Sequence, residues 1–398
     1  MDAGTAGDRN DPLKKALTHG LAIWAIATPL WVLAGSALAK TLAVDVQQAF
    51  LPAARAVLHG TSPYSQIGSR AVTQGTAFLY PPLSGYLFVP FTLLPQLAAE
   101  IVAVVLVAAA VPATLLLLGV RDWRCHAVAF LWWPTIIGIQ TGNLTLPMLL
   151  GVALVWRYRN RRAVAAVVAG LVVALKLFFW PVLVWLVATR RYKTAALAAA
   201  SSVFFVLVPW AGIGFAGLRG YPHLLASVSG DEGPRSYSVA ALLHTVIPTW
   251  TAATAVETLF GAALLAVVIA AGRRGRDRDA FALSIVAILV LTPLLEMHYL
   301  AVLLVVVALY RPRFALAWAA PLLIWGAAAG NVASLIQIVH VLLAVAATVV
   351  LARWDCQPQV IVRALKLPSG PLSEWRDDLS RSGGVRPTEL PLSVDHGD

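Results

Sequence analysis

Carboxylates are scarce in this chain: Asp and Glu together number 19 in 398 residues, and charged residues of all kinds make up 12%. Water-soluble domains carry about a quarter charged residues, so a soluble globular fold is excluded. Only two cysteines occur, Cys125 and Cys356, each beside an arginine-rich stretch, and a disulfide framework is excluded with them. No acidic cluster has metal-ligand spacing, so neither a metal nor another cofactor is expected. No internal repeat is visible, which counts weakly against a transporter built from inverted repeats. Apolar residues fill the remainder, at 59% of the chain with a mean hydropathy of +0.78.

The net charge of +11 does not point to nucleic acid, because the basic residues stand in short clusters between apolar runs. These are Lys14-Lys15, Arg121/Arg124, Arg157/Arg159/Arg161/Arg162, Arg190/Arg191/Lys193, Arg273/Arg274/Arg276/Arg278, Arg311/Arg313 and Arg353. Such clusters mark cytosolic loops, so an even number of crossings must separate each neighbouring pair. At about 20 residues per span, the chain accommodates roughly ten to twelve crossings with both termini inside. The first apolar run, residues 21–38, is too long for a signal-peptide core and is read as a retained span.

The same count shapes the loops. Only two crossings fit between Lys15 and Arg121, residues 21–38 and about 97–120, so the apolar stretch 78–95 cannot span. It is expected as a helix at or dipping into the outer surface, kinked by Pro81, Pro82, Pro90 and Pro95. Residues 46–59 read as amphipathic and are expected to lie on that surface, with Pro52 causing a bend or a late start. Outward turns are placed at Gln140-Thr141-Gly142-Asn143, at 175–181, where Pro181 helps break the helix, and at 292–299. The expected architecture is an all-α polytopic integral membrane protein. A single transmembrane domain covers 1–352, with outer loops at about 40–96 and 217–250, and a flexible cytosolic tail covers 353–398.

On this topology the unusual polar groups gather on the outer side: Asp45, Tyr64, Tyr80, Asn143, Lys176, Glu296 and His298. Most have a plain structural reading. Asn143 suits a helix cap, Tyr64 and Tyr80 suit headgroup depth, Glu296 suits the surface, and His298 suits a hydrogen-bonded core position. Asp45 suits an N-cap for the helix after it, and Lys176 can snorkel to the outer headgroups. Lys176 nevertheless has no acidic neighbour in sequence, and a buried ammonium without a partner is costly. An anionic ligand at the outer leaflet would supply one.

Five ordered motifs carry a resemblance. They are Asp45…Phe50…Ala53-Ala54…Leu58-x-Gly60-x-x-Pro63-Tyr64, Phe78-Leu79-Tyr80-Pro81-Pro82-Leu83, Gly142-Asn143-Leu144, Ala174-Leu175-Lys176-Leu177 and Thr292-Pro293…His298-Tyr299-Leu300. Together, over about residues 20–350, the chain resembles the family 87 glycosyltransferases of the GT-C superfamily. The resemblance implies a GT-C membrane fold and an enzyme at the plasma membrane whose site faces the extracytoplasmic side. Such an enzyme moves a sugar, most often mannose, from a polyprenyl phosphate donor to a glycolipid or lipoglycan acceptor with inversion. An arabinofuranosyltransferase of cell-wall arabinan and, outside the family, a lipid or solute transporter are the alternatives. Within the resemblance, Asp45 is the expected general base and Lys176 the phosphate partner. His298 is expected at the donor phosphate or the acceptor, and Tyr64, Tyr80, Asn143 and Glu296 are further substrate-binding candidates.

Overall fold

A chain segment in hydrocarbon must satisfy its own backbone, and apolar runs of this length do so as helices. The computed structural model describes residues 12–73, 75–327 and 333–354, and among them there is no strand. Five helices are long and apolar enough to cross a membrane: Thr18–Leu38, Gln96–Leu117, Tyr192–Gly212, Trp250–Arg273 and Leu335–Arg353. A sixth crossing is available if Trp133–Thr141 and Thr145–Arg157, which meet at 113°, count as one broken span. Four further apolar helices are shorter: Arg162–Leu175, Leu177–Ala188, Met297–Tyr310 and Leu316–Ala327. The chain is a multi-pass membrane protein that combines full-length spans with helices that stop short. Of the residues after Arg353, only Trp354 is described. The expected tail therefore lies almost wholly outside the described residues.

The loops differ from expectation in informative ways. Residues 78–95 are not one kinked helix: a short helix Pro82–Leu87 is followed by a 3-10 turn Val89–Leu93. Pro82 and Pro90 fall in the first turn of each piece, where a missing N–H is harmless. Pro52 marks the late start expected of it. The helix opens as a π-helical turn over Val46–Phe50 and continues as an α-helix over Leu51–Leu58, with Pro52 in its first turn. Its apolar face is buried through Val46, Ala49, Phe50, Ala53, Ala54 and Val57, although Leu58 is exposed. Pro181 starts a helix, Pro181–Ala188, instead of ending the one before it. The 217–250 region is mostly helical, with Tyr221–Glu232 and Val239–His244 separated by a tight turn.

Close packing follows from small residues. A Cβ on Gly170 would lie 2.5 Å from Ser201 Cβ and 2.9 Å from Ala198 O, so glycine there lets Arg162–Leu175 rest directly on Tyr192–Gly212. Trp132, Trp185, Trp210 and Trp318 are fully buried, with Trp132 Nε1 donating to Trp318 O at 3.0 Å.

Every basic cluster whose side chains are described meets its neighbours at one end of the bundle. Asp277 accepts from Arg159 Nε at 3.2 Å, Arg191 Nη1 and Nη2 at 2.9 Å, and Trp185 Nε1 at 2.8 Å. Asp279 pairs with Arg276 and with Tyr310 OH, while Asp122 joins Arg124 to the Phe314 N–H at 3.0 Å. Arg274, Arg276 and Arg353 line a common hollow. In a background lacking Cys125 and Cys356, cysteines at the exposed positions Arg161, Lys193 and Arg274 are expected to react with a membrane-impermeant maleimide from one face. A cysteine at His59 is expected to react from the other. Mixed sidedness among the three arginine-loop positions would overturn this arrangement.

Candidate functional site

Three interruptions of helix create the site. The first follows the opening long helix, where Ala43 takes a left-handed conformation with φ 54° and donates its N–H to Gln140 O at 2.6 Å. A non-glycine residue held there costs about 1–2 kcal/mol. The turn aims Asp45 inward; its side chain makes no capping bond, so the N-cap reading is not what the structure uses. The second interruption is Gly142, with φ 70°, which ends Trp133–Thr141. A Cβ at Gly142 would lie 2.6 Å from Val46 Cγ2, so this turn and the Asp45 segment press directly together. The third is Lys176, which is extended (φ −148°, ψ 99°) between Arg162–Leu175 and the 3-10 turn Leu177–Phe179. Ser84 Oγ reaches across to the carbonyl of Leu175 at 3.1 Å, satisfying one acceptor of that helix end.

Asn143 ties the three together. Its Nδ2 donates to Asp45 Oδ2 at 2.5 Å and to Tyr80 OH at 3.1 Å. Its Oδ1 accepts from Lys176 Nζ at 3.1 Å, from the Thr145 N–H at 2.9 Å and from Thr145 Oγ1 at 2.8 Å. The amide orientation is unambiguous, because a carboxylate only accepts and an ammonium only donates. Asn143 thus caps the next helix through Thr145 and also bridges the acid to the amine.

Lys176 is 4% exposed, so it does not snorkel. Its Nζ also donates to Thr145 Oγ1 at 2.7 Å and lies 4.0 Å from the Tyr299 ring centre, 4.9 Å from Phe178 and 5.3 Å from Tyr80. Dipoles and ring faces hold this ammonium, an arrangement that cation–π attraction supports by about 0.5–2 kcal/mol per ring.

These groups line a cavity of about 640 Å³. Asp45, Tyr80, Asn143, Lys176, Glu296 and His298 all border it, with Gln48, Phe178, Tyr221, Ser229, Thr292 and Tyr299. Glu296 is exposed, as its surface reading expects, with a side chain 51% accessible, and it also borders the cavity. Its Oε2 lies 3.9 Å from His298 Nδ1. The other ring nitrogen of His298, Nε2, is buried without a protein partner. Lost hydration raises the Asp45 carboxyl above its ordinary range, against the Asn143 hydrogen bond and the Lys176 charge, which lower it. Glu296 is pushed up to about 7, first by lost hydration and then by the Asp45 charge, with Lys176 opposing.

Tyr64 stands apart from the cavity. Its hydroxyl donates to Tyr80 O at 3.0 Å, and its ring packs among Phe78, Trp210 and Tyr221. Sequence reasoning passed over Thr145, Phe178, Tyr221 and Tyr299. Thr145 follows Asn143 by two residues and Tyr299 follows His298 directly, so proximity to chosen residues was the available signal. Tyr221 sits in the segment expected to be loop. Among the described residues, no group of three or more His, Cys, Asp or Glu could hold a metal ion.

Residues 78–296, just over half of the chain, match the family model of glycosyltransferase family 87. The matched stretch is narrower than the 20–350 over which resemblance is visible. Asp45 and His298 lie outside it but reach it through Asn143 and Glu296. No curated protein and no solved structure matches.

Replacing Asn143 by Leu removes a partner from a buried ammonium and a half-buried carboxylate at once. A loss of about 3 kcal/mol is expected, against about 1 kcal/mol for Thr145→Val. Thermal unfolding of the two variants in one detergent checks the order, and equal losses would show that the amide does not couple the charges.

Proposed function

We propose that this chain, which belongs to glycosyltransferase family 87 and is a membrane glycosyltransferase, transfers mannose from a polyprenyl phosphate to a glycolipid or lipoglycan acceptor. Membership replaces the transporter alternative. The observation that carries the finer reading is the placement of one carboxylate and one ammonium on opposite ends of the Asn143 amide, in a cavity walled by apolar helices. The acceptor hydroxyl oxygen bonds to the anomeric carbon as the bond from that carbon to the phosphate oxygen breaks, inverting the centre. Asp45 takes the hydroxyl proton, and the phosphate leaves with the bonding pair beside Lys176, whose charge offsets the negative charge developing there. His298 Nε2, buried without a protein partner, is suited to donate to a phosphate oxygen.

Depth in the bilayer supports a lipid-borne donor. Arg162–Leu175 has 14 residues and rises about 21 Å from the arginine-rich end, against a hydrocarbon core of about 30 Å. With that end in the cytosol, as the positive-inside rule requires, Lys176 stands in the outer leaflet of the plasma membrane, near its extracytoplasmic face. A phosphate at headgroup level could meet it there while the prenyl chain stays among the spans.

The protein reconstituted in vesicles and given radiolabelled polyprenyl-phosphate mannose is expected to yield labelled glycolipid and free polyprenyl phosphate. Labelling only from the arabinofuranosyl donor would move the assignment to that sugar. Asp45→Asn is expected to lower turnover by about 10²–10⁴-fold with normal membrane insertion. Lys176→Met is expected to raise the donor KM more than the acceptor KM. Near-normal turnover of the first variant would exclude Asp45 as the base, and equal shifts in the second would remove the phosphate role.

The Glu296 carboxyl adds a pH dependence. Below about 7 it holds its proton, and above that it becomes a second negative charge facing the anionic donor. The donor KM is therefore expected to rise as pH passes upward through about 7, and to stay flat there in Glu296→Gln. A rise of the same size in that variant would assign the effect to another group.

A further inference from the structure

A second cavity, of about 410 Å³, shares Leu294 and Glu296 with the first, so the two stand on either side of one thin wall. That wall is stitched rather than loose. The Tyr237 N–H donates to Leu295 O at 3.0 Å and Ser236 Oγ to Pro293 O at 3.2 Å, so residues 236–237 run alongside 293–295. The wider expected loop at 217–250 is thereby held against the site.

The chemistry of the two cavities differs. The first contains Lys176, a cation whose hydrogen-bond partners are neutral. The second has Arg235, whose Nη1 lies 3.9 Å from Glu232 Oε1, together with Glu296, Ser236, Tyr237 and the half-buried Trp133. Two carboxyl groups against one guanidinium give no surplus positive charge to attract phosphate. Carboxyl groups, a guanidinium and an aromatic wall instead match a neutral ligand rich in hydroxyls. The size falls within the range of about 300–1,000 Å³ usual for small-ligand pockets.

We propose that this second cavity is the acceptor saccharide subsite. It would hold the sugar ring that receives the transfer, with Glu296, which lines both cavities, at their shared boundary beside the attacking hydroxyl. The inference rests on the glycosyl-transfer reading above and adds where the acceptor sits. Glu232 and Arg235 grip ring hydroxyls at the outer side, and Glu296 meets the sugar from the wall. No bond is made or broken in this cavity; it orients the nucleophile.

The test uses the full-length protein in vesicles with labelled polyprenyl-phosphate mannose as donor and methyl α-D-mannopyranoside as acceptor probe. Arg235→Gln and Glu232→Gln, both on accessible side chains, are expected to raise the acceptor KM about tenfold each while the donor KM moves less than about twofold. Tyr237→Phe provides a further variant that keeps the packing of the ring. Wild-type transfer with acceptor KM values unmoved in all three, or with donor and acceptor KM rising together, overturns the subsite alone. Absence of transfer by the wild type from either the mannosyl or the arabinofuranosyl donor overturns the underlying reading, and the subsite with it.

Discussion

The Asn143 side chain is the interaction on which the site depends. A carboxylate and an ammonium taken out of water each cost several kcal/mol, and direct pairing would neutralise both. Here a neutral amide stands between them, giving its NH2 to Asp45 and its oxygen to Lys176. Each charge is solvated by a dipole, and neither is consumed by the other. Asp45 keeps one oxygen outside this bond, and Lys176 lies against three rings and a hydroxyl with no carboxylate bonded to it. A site meant to meet both a hydroxyl and a phosphate gains from that arrangement, because an acid and a base locked in an ion pair would have to separate first.

Holding one amide in place requires backbone irregularity where the apolar bundle disfavours it. Non-helical backbone at membrane depth is tolerated only where it is buried in protein or lines a cavity. Each break here meets that condition by a specific bond. Ala43 donates to Gln140 O, Ser84 covers the Leu175 carbonyl, and Asn143 itself receives the Thr145 N–H. The π-helical turn after Asp45 belongs to the same set, since such turns re-aim side chains at the cost of ladder regularity. The strained φ of Ala43 and the positive φ of Gly142 stand in contact across this junction, so the strain lies at the edge of the candidate site.

What was legible in the sequence divides along physical lines. The gathering of arginine clusters at one end was readable because positive charge is excluded from hydrocarbon wherever it sits in the chain. The turns at 140–143, 175–181 and 292–299 were readable because polar residues interrupt long apolar runs there. The polarity of the network was not. Asp45 and Asn143 are 98 residues apart and Asn143 and Lys176 are 33 apart, and no local pattern records which amide bridges which charge. Glu296 is exposed as its surface reading expected, but its place at the margin of a cavity was not legible, because a single acidic residue after Thr292-Pro293 carries no sign of one. Pro52 suggested a bend or a late start, and the α-helix does begin only at Leu51, whereas Pro181 suggested a helix end yet stands in a first turn, where the same ring favours helix. Residues 217–250 were read only as an outer loop, from the count of crossings, and that count carries no sign that Tyr221–Glu232 forms a helical wall of the cavity.

The short helices give these details a common reason. A bundle built only of full spans would enclose an apolar core and leave its polar ends at the two surfaces, with nothing to bind between them. Stopping Arg162–Leu175 at 14 residues, and bending the 133–157 segment by 113°, brings two helix breaks together, with Lys176 Nζ 3.1 Å from Asn143 Oδ1. Helix breaks supply unpaired backbone groups, and polar side chains must come with them to satisfy those groups. Asn143 and Lys176 sit at two such breaks, and Asp45 at a third. In this bundle the polar cavity is therefore a consequence of helix length. The residues proposed to act on the donor are those that the truncated helices need at their ends, and a change that lengthened either helix would remove the cavity before it touched any reacting group.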